Sequence, residues 1–105
     1  MATKLKTLGT LNLTAAATAQ QLSTASLLCE SFTVTAAAGN TGAVVIGDST
    51  VTTANSAPIA AGGSRTYTVP EAPSGGADYV DLQDVYFDGA TTGNDIFVDY
   101  FQRQH

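Results

Sequence analysis

The chain is poor in residues that do chemistry and poor in charge. It contains one cysteine, Cys29, one histidine, His105, and no tryptophan. A single thiol cannot close an internal disulfide, so packing and hydrogen bonds must hold the fold, which suits assembly in a reducing cytoplasm. A nucleophilic cysteine needs a base fixed beside it. The only imidazole is on the last residue, where a chain end does not hold a geometry. Cys29, between Leu28 and Glu30 at the start of a strand-like run, therefore reads as a small buried hydrophobe. Glycoside hydrolysis by a carboxylate pair would require aromatic platforms around a deep cleft, which a small chain without tryptophan is ill equipped to build. No enzymatic activity and no cofactor are expected.

Cations are equally scarce. Lys4, Lys6, Arg65 and Arg103 face nine carboxylates, for a net charge of −5. Binding nucleic acid takes a stripe of lysine and arginine that displaces counterions from phosphates, and four scattered cations do not form one. The same shortage argues against an anionic membrane surface, and no run of about 18 apolar residues is present to span a bilayer. Leu8, Leu11, Leu13 and Ala15 to Ala19 follow two lysines in loose imitation of a secretory leader. Thr10, Asn12 and Thr14 interrupt its apolar centre, so it is not read as one.

What remains is threonine, alanine and short apolar runs. The 105 residues leave room for one domain, spanning 1–105, with one modest core. Charged residues make up 12% of the chain, against about 25% in an ordinary soluble domain. A weakly charged, methyl-rich surface repels its neighbours poorly, and such a domain is expected to pack against partner subunits.

Strand signals recur along the chain, separated by turn signals every eight to twelve residues or so. Leu5 to Leu13 reads as a strand with a bulge or kink at Gly9, and residues 1–13 as an extended arm or edge strand. A short strand is expected around Thr18 to Leu22, then a loop from Ser23 to Leu27. Ser31 to Ala36 and Ala43 to Ile46 read as a hairpin, because Gly39-Asn40 and Gly42 between them supply turn geometry. Val85 to Asp88 and Ile96 to Phe101 read as a second hairpin around Gly93-Asn94. Aligning Gly39-Asn40 with Gly93-Asn94 places an apolar strand after each, which suggests equivalent corners of two sheets. Arg65 to Val69 and Tyr79 to Leu82 supply further strands.

The expected fold is all-β: a single small sandwich, jelly-roll-like, of seven or eight short antiparallel strands. Its core draws on Leu11, Leu13, Leu22, Phe32, Val34, Val44, Ile46, Ile59, Tyr67, Val69, Val85, Phe87, Ile96, Val98 and Tyr100.

Seven of the nine carboxylates, Glu71, Asp78, Asp81, Asp84, Asp88, Asp95 and Asp99, fall in the last third. Asp78, Asp81 and Asp84 recur at every third position. They lack the glycine-containing twelve-residue loop of a dedicated calcium motif, so they read as a solvated face with no metal.

The order Thr18-Ala19-Gln20-Gln21-Leu22, Cys29 to Val34, Ala38 to Gly47, Asn55 to Ser64, Val85 to Gly89 and Val98 to Phe101 resembles small virion proteins of tailed bacteriophages. That resemblance implies a compact sandwich that decorates or cements the outside of a phage head, commonly as a trimer. Its implied partners are the major capsid protein and further copies of itself, and its implied location is the virion surface. The contact candidates are Lys4, Leu5, Lys6, Leu8 and Leu11, on an edge strand whose free main chain can extend a neighbour's sheet. A second class also fits the residues: a head or tail attachment protein, or a carbohydrate-binding module using Tyr79, Tyr86 and Phe101 as an aromatic patch.

Overall fold

A computed structural model of the chain describes residues 3–68 and 79–103. Nine strands occur among these residues: β1 (Thr3–Asn12), β2 (Gln20–Gln21), β3 (Leu28–Cys29), β4 (Ser31–Ala36), β5 (Val44–Gly47), β6 (Ser64–Thr68), β7 (Val80–Asp81), β8 (Tyr86–Gly89) and β9 (Asp95–Arg103). The one helical turn is a 3-10 turn over Leu82–Asp84. Every strand pairing is antiparallel.

A four-stranded sheet in the order β1-β9-β4-β6 forms one layer, and a three-stranded sheet β2-β8-β5 forms the other. Ile59 extends the second layer by pairing with Val44 on the open side of β5. With that fourth position counted, the chain crosses between layers at every step from one paired segment of these layers to the next except from β5 to the Ile59 segment, the order of a jelly roll. The domain is an all-β sandwich, as its turn spacing implied.

The two expected hairpins are corrected. Their strands lie where the apolar runs placed them, but β4 pairs with β6 and β9, while β5 pairs with β8. Likewise β8 and β9 belong to different layers. Each Gly-Asn loop carries the chain across the sandwich, a path that turn residues alone do not distinguish from a reversal within one sheet. The matching of the two loops is real and structural. The Asn40 side chain bonds the backbone of Asp95, donating to its O at 2.8 Å and accepting from its N at 2.8 Å. The Asn94 side chain does the same for Thr41, at 2.9 and 3.0 Å. Each corner is thus clasped by the asparagine of the other.

Alternation in β4, with Phe32, Val34 and Ala36 buried and the residues between them half-buried, turns one face of the four-stranded sheet inward. Ile96, Val98 and Tyr100 do the same from β9, and meet Leu13, Val44, Ile46, Leu82 and Phe87 in a single cluster. Leu11 and Tyr67 are only partly buried against that cluster, and Val69 lies outside the described residues. Strand β7 is shorter than the expected Tyr79 to Leu82, because Asp81 ends it: its carboxylate accepts from Gln83 N at 3.0 Å and caps the 3-10 turn.

Candidate functional site

The outer faces of the two layers differ. On the three-stranded sheet, Val45 and Asp88 stand opposite each other in register and both are buried. The segment after β1 covers Asp88, whose Oδ1 accepts from Ala17 N at 3.0 Å and from its own neighbour Gly89 N at 2.8 Å. Ala17 takes φ +65° there, a left-handed conformation uncommon for alanine. The loop after β5 covers the other side: Val51 is buried, and a Cβ added to Gly47 would lie 2.9 Å from Val51 Cγ2. Gly47 is what permits that close approach.

The four-stranded sheet is bare by comparison. Register aligns three rows across its outer face: Leu5, Phe101, Ser31 and Thr68; Thr7, Asp99, Thr33 and Thr66; Thr10, Phe97, Thr35 and Ser64. Leu5 is 61% exposed, Phe97 43% and Phe101 44%. Thr33 and Thr66 share a hydrogen bond between their hydroxyls at 2.8 Å. Asp99, in the middle row on a central strand, is the only charged side chain in these rows.

The expected contact residues all lie on β1, the edge strand of that sheet, but they do not form one patch. Leu5 shares the bare face with Phe101. Lys4 and Lys6 are exposed on the opposite face, level with Gln102 and Tyr100. A register shift between Thr7 and Gly9, with Gly9 at φ +101°, alters the alternation. Leu8 and Leu11 consequently pack inward against the core. Sequence reasoning missed Phe97. Its signal was available in the run Ile96 to Phe101, where Val98 and Tyr100 set the inward parity and leave Phe97 and Phe101 outward.

A second surface is a groove of about 540 Å³ on the far side of the sandwich from β1, between β6 and β5. Phe32 and Tyr67, directly paired across β4 and β6, stack with ring centroids 5.0 Å apart and planes 17° from parallel. Tyr79 joins them in the lining, with Asp81 and Asp84. The aromatic patch expected from Tyr79, Tyr86 and Phe101 is thereby dispersed, since Phe101 lies on the outer sheet face and Tyr86 is half-buried on β8. Tyr79 has other aromatic company.

The groups with chemical potential do not converge. Cys29 is buried and its thiol is pushed up to about 11, first by burial and then by the negative charge of Asp81. Asp81 is held below the usual carboxylate range by hydrogen bonds from Ser26, Gln83 and Leu27. Asp48 is lowered in the same way by the hydroxyl and amide of Thr50. Among the described residues, no three histidine, cysteine, aspartate or glutamate side chains gather as metal ligands. Glu71, Asp78 and His105 lie outside those residues. Comparison of the chain with family profiles, with characterised proteins and with solved structures finds no match in any of the three.

Proposed function

We propose that this protein is a structural module that packs onto a larger protein assembly through the outer face of its four-stranded sheet. One observation carries the reading. Loops bury the outer face of one layer down to Val45 and Asp88, whereas the other layer leaves Leu5, Phe97 and Phe101 exposed among threonines and serines. Apolar side chains gathered on one flat face mark an interaction surface. Asp99 narrows the kind of contact. A two-fold face-to-face dimer with its axis near the middle row would bring two copies of Asp99 together in a drying interface, where like charges are costly. Contact with a different surface avoids that pairing, whether in a ring of three copies or on another protein. The resemblance to virion proteins names such a surface, the outside of a phage head, where the module acts as a decoration or cement protein.

The test is sedimentation with empty phage heads, preceded by light scattering to fix the mass in solution. The wild type is expected to pellet at a constant ratio to the major capsid protein. The Phe97→Ser, Phe101→Ser double variant, shown to be folded by its melting curve, is expected to stay in the supernatant. A wild type that never pellets, or a double variant that pellets equally well, would sink the proposal.

A further inference from the structure

We infer that the groove between β5 and β6 is a binding site for a neutral sugar ring, a ligand function separate from the sheet face. Its volume of about 540 Å³ falls within the range of roughly 300–1,000 Å³ typical of small-molecule sites. The lining combines three rings, Phe32, Tyr67 and Tyr79, with the carboxylates of Asp81 and Asp84. A pyranose has matching chemistry: its C–H face lies against an aromatic ring, and its hydroxyls donate to carboxylates.

Other ligand classes fit the same groups less well. A purely apolar molecule would strip water from two carboxylates without replacing their hydrogen bonds. An anion would meet the negative charge of both. A cation would meet Asp84 and Asp81, the latter keeping its charge while it accepts from Ser26 Oγ at 2.5 Å, Leu27 N at 2.9 Å and Gln83 N at 3.0 Å. Asp84 is exposed and Asp81 half-buried, so salt screens the attraction of both. Hydroxyl donors need no net charge to neutralise.

The platform is also held in place before any ligand arrives. Tyr67 is stacked on buried Phe32, and its hydroxyl accepts from Arg65 Nη1 at 3.4 Å. That guanidinium is itself anchored on the carbonyls of Ala57 and Pro58, at 3.0 and 3.2 Å. Fixed rings lose little freedom on binding. Tyr79, 37% exposed, is the most open ring of the three.

Saturation-transfer NMR on the intact chain tests this, with a panel of glucose, galactose, mannose, N-acetylglucosamine, maltose and lactose. Choline and butylamine serve as cationic probes, each at low and high salt. At least one sugar is expected to receive saturation, equally at both salt concentrations. Tyr79→Ala should weaken that sugar at least tenfold and Asp84→Asn severalfold, while Phe97→Ser leaves it unchanged. Asp84 is exposed, so its variant reads the site even if Tyr79→Ala folds poorly. The inference is overturned if no sugar is saturated, if both groove variants bind as the wild type does, or if only the amines bind and salt abolishes their signal. None of these results bears on sedimentation with phage heads, so the two proposals fail separately.

Discussion

Asn94 offers the sharpest test of how the two layers are tied together. It is 3% exposed, and its amide closes a two-bond clasp on Thr41, accepting from N at 3.0 Å and donating to O at 2.9 Å. Asn94→Ala removes both bonds and leaves Thr41 N–H and C=O facing a small void. A hydrogen bond contributes about 1 kcal/mol net, and a buried group left unpaired costs about 1–3 kcal/mol. Thr41 itself is exposed, so water can recover part of the loss, and a total of about 2–3 kcal/mol is expected. For a domain of this size that corresponds to a fall in Tm of roughly 10–20 °C. Asn94→Asp separates the two bonds. It keeps an acceptor for Thr41 N but turns a carboxylate oxygen toward Thr41 O, so at neutral pH it should destabilise at least as much as alanine. Asn40→Ala removes the reciprocal clasp on Asp95. If the two clasps brace one pair of crossings, the double variant should lose less than the sum of the singles, by about 0.5–1 kcal/mol or more. Calorimetry on the four variants and the wild type measures all of this. An Asn94→Ala protein melting within a few degrees of wild type would refute the idea that these asparagines hold the layers together.

Four further outcomes are expected. The Cys29 thiol, raised from 9.0 to about 11, should resist a disulfide reagent at pH 8 until the chain is unfolded. Because the unfolded thiol ionises first, its contribution to stability is complete below pH 9 and is lost as pH rises toward 11; a Cys29→Ala control, compared by denaturant titration, should lack that slope. Gly9→Val places a β-branched residue at φ +101° with nothing within 4 Å of its Cβ, so backbone strain alone should cost about 1–3 kcal/mol. Gly39→Ala, equally uncrowded and without positive φ, should melt as the wild type does or slightly higher. Asp81→Ala should lower Tm at neutral pH, with the deficit shrinking in acid: the lowered carboxyl stabilises the fold above its ordinary range and stops doing so as pH falls through its folded value.

Strand positions were legible in the sequence because apolar runs such as Ser31 to Ala36 and Ile96 to Phe101 are bounded by glycine and asparagine. Partnership between strands was not legible. Gly39-Asn40 and Gly93-Asn94 supply turn conformations, and a loop of that composition closes a hairpin or crosses a sandwich with equal ease. What distinguishes the two outcomes is the asparagine side chain, which reaches the backbone of a residue more than fifty positions away. Single-sequence alignment of the two loops showed that they were equivalent, without showing that they grip each other. Asp88 illustrates a second limit. It counted as one more solvated carboxylate, yet it is 1% exposed, because the chain from Thr14 to Ala19 folds over it in a conformation that its alanines do not advertise. For the candidate surfaces, the parity that Val98 and Tyr100 set along β9 was there to be read and would have placed Phe97 outward beside Phe101, but Phe97 was not picked out. The groove was not, since Tyr67 and Tyr79 come together only through the packing of the two layers.

The pairing of β1 with β9 sets the first strand beside the last, residue 3 against residue 103. The first of these strands is synthesised long before its mate, with nearly the whole domain between them. Among the described residues its other edge has no strand partner in the sheet order, so the segment waits for β9 before it joins the sheet. Contacts that join distant parts of a chain also close slowly. Pairing of β1 with β9 is therefore a late zippering step, and until it occurs the Leu5 to Leu13 segment is where a neighbouring copy or a chaperone would first take hold.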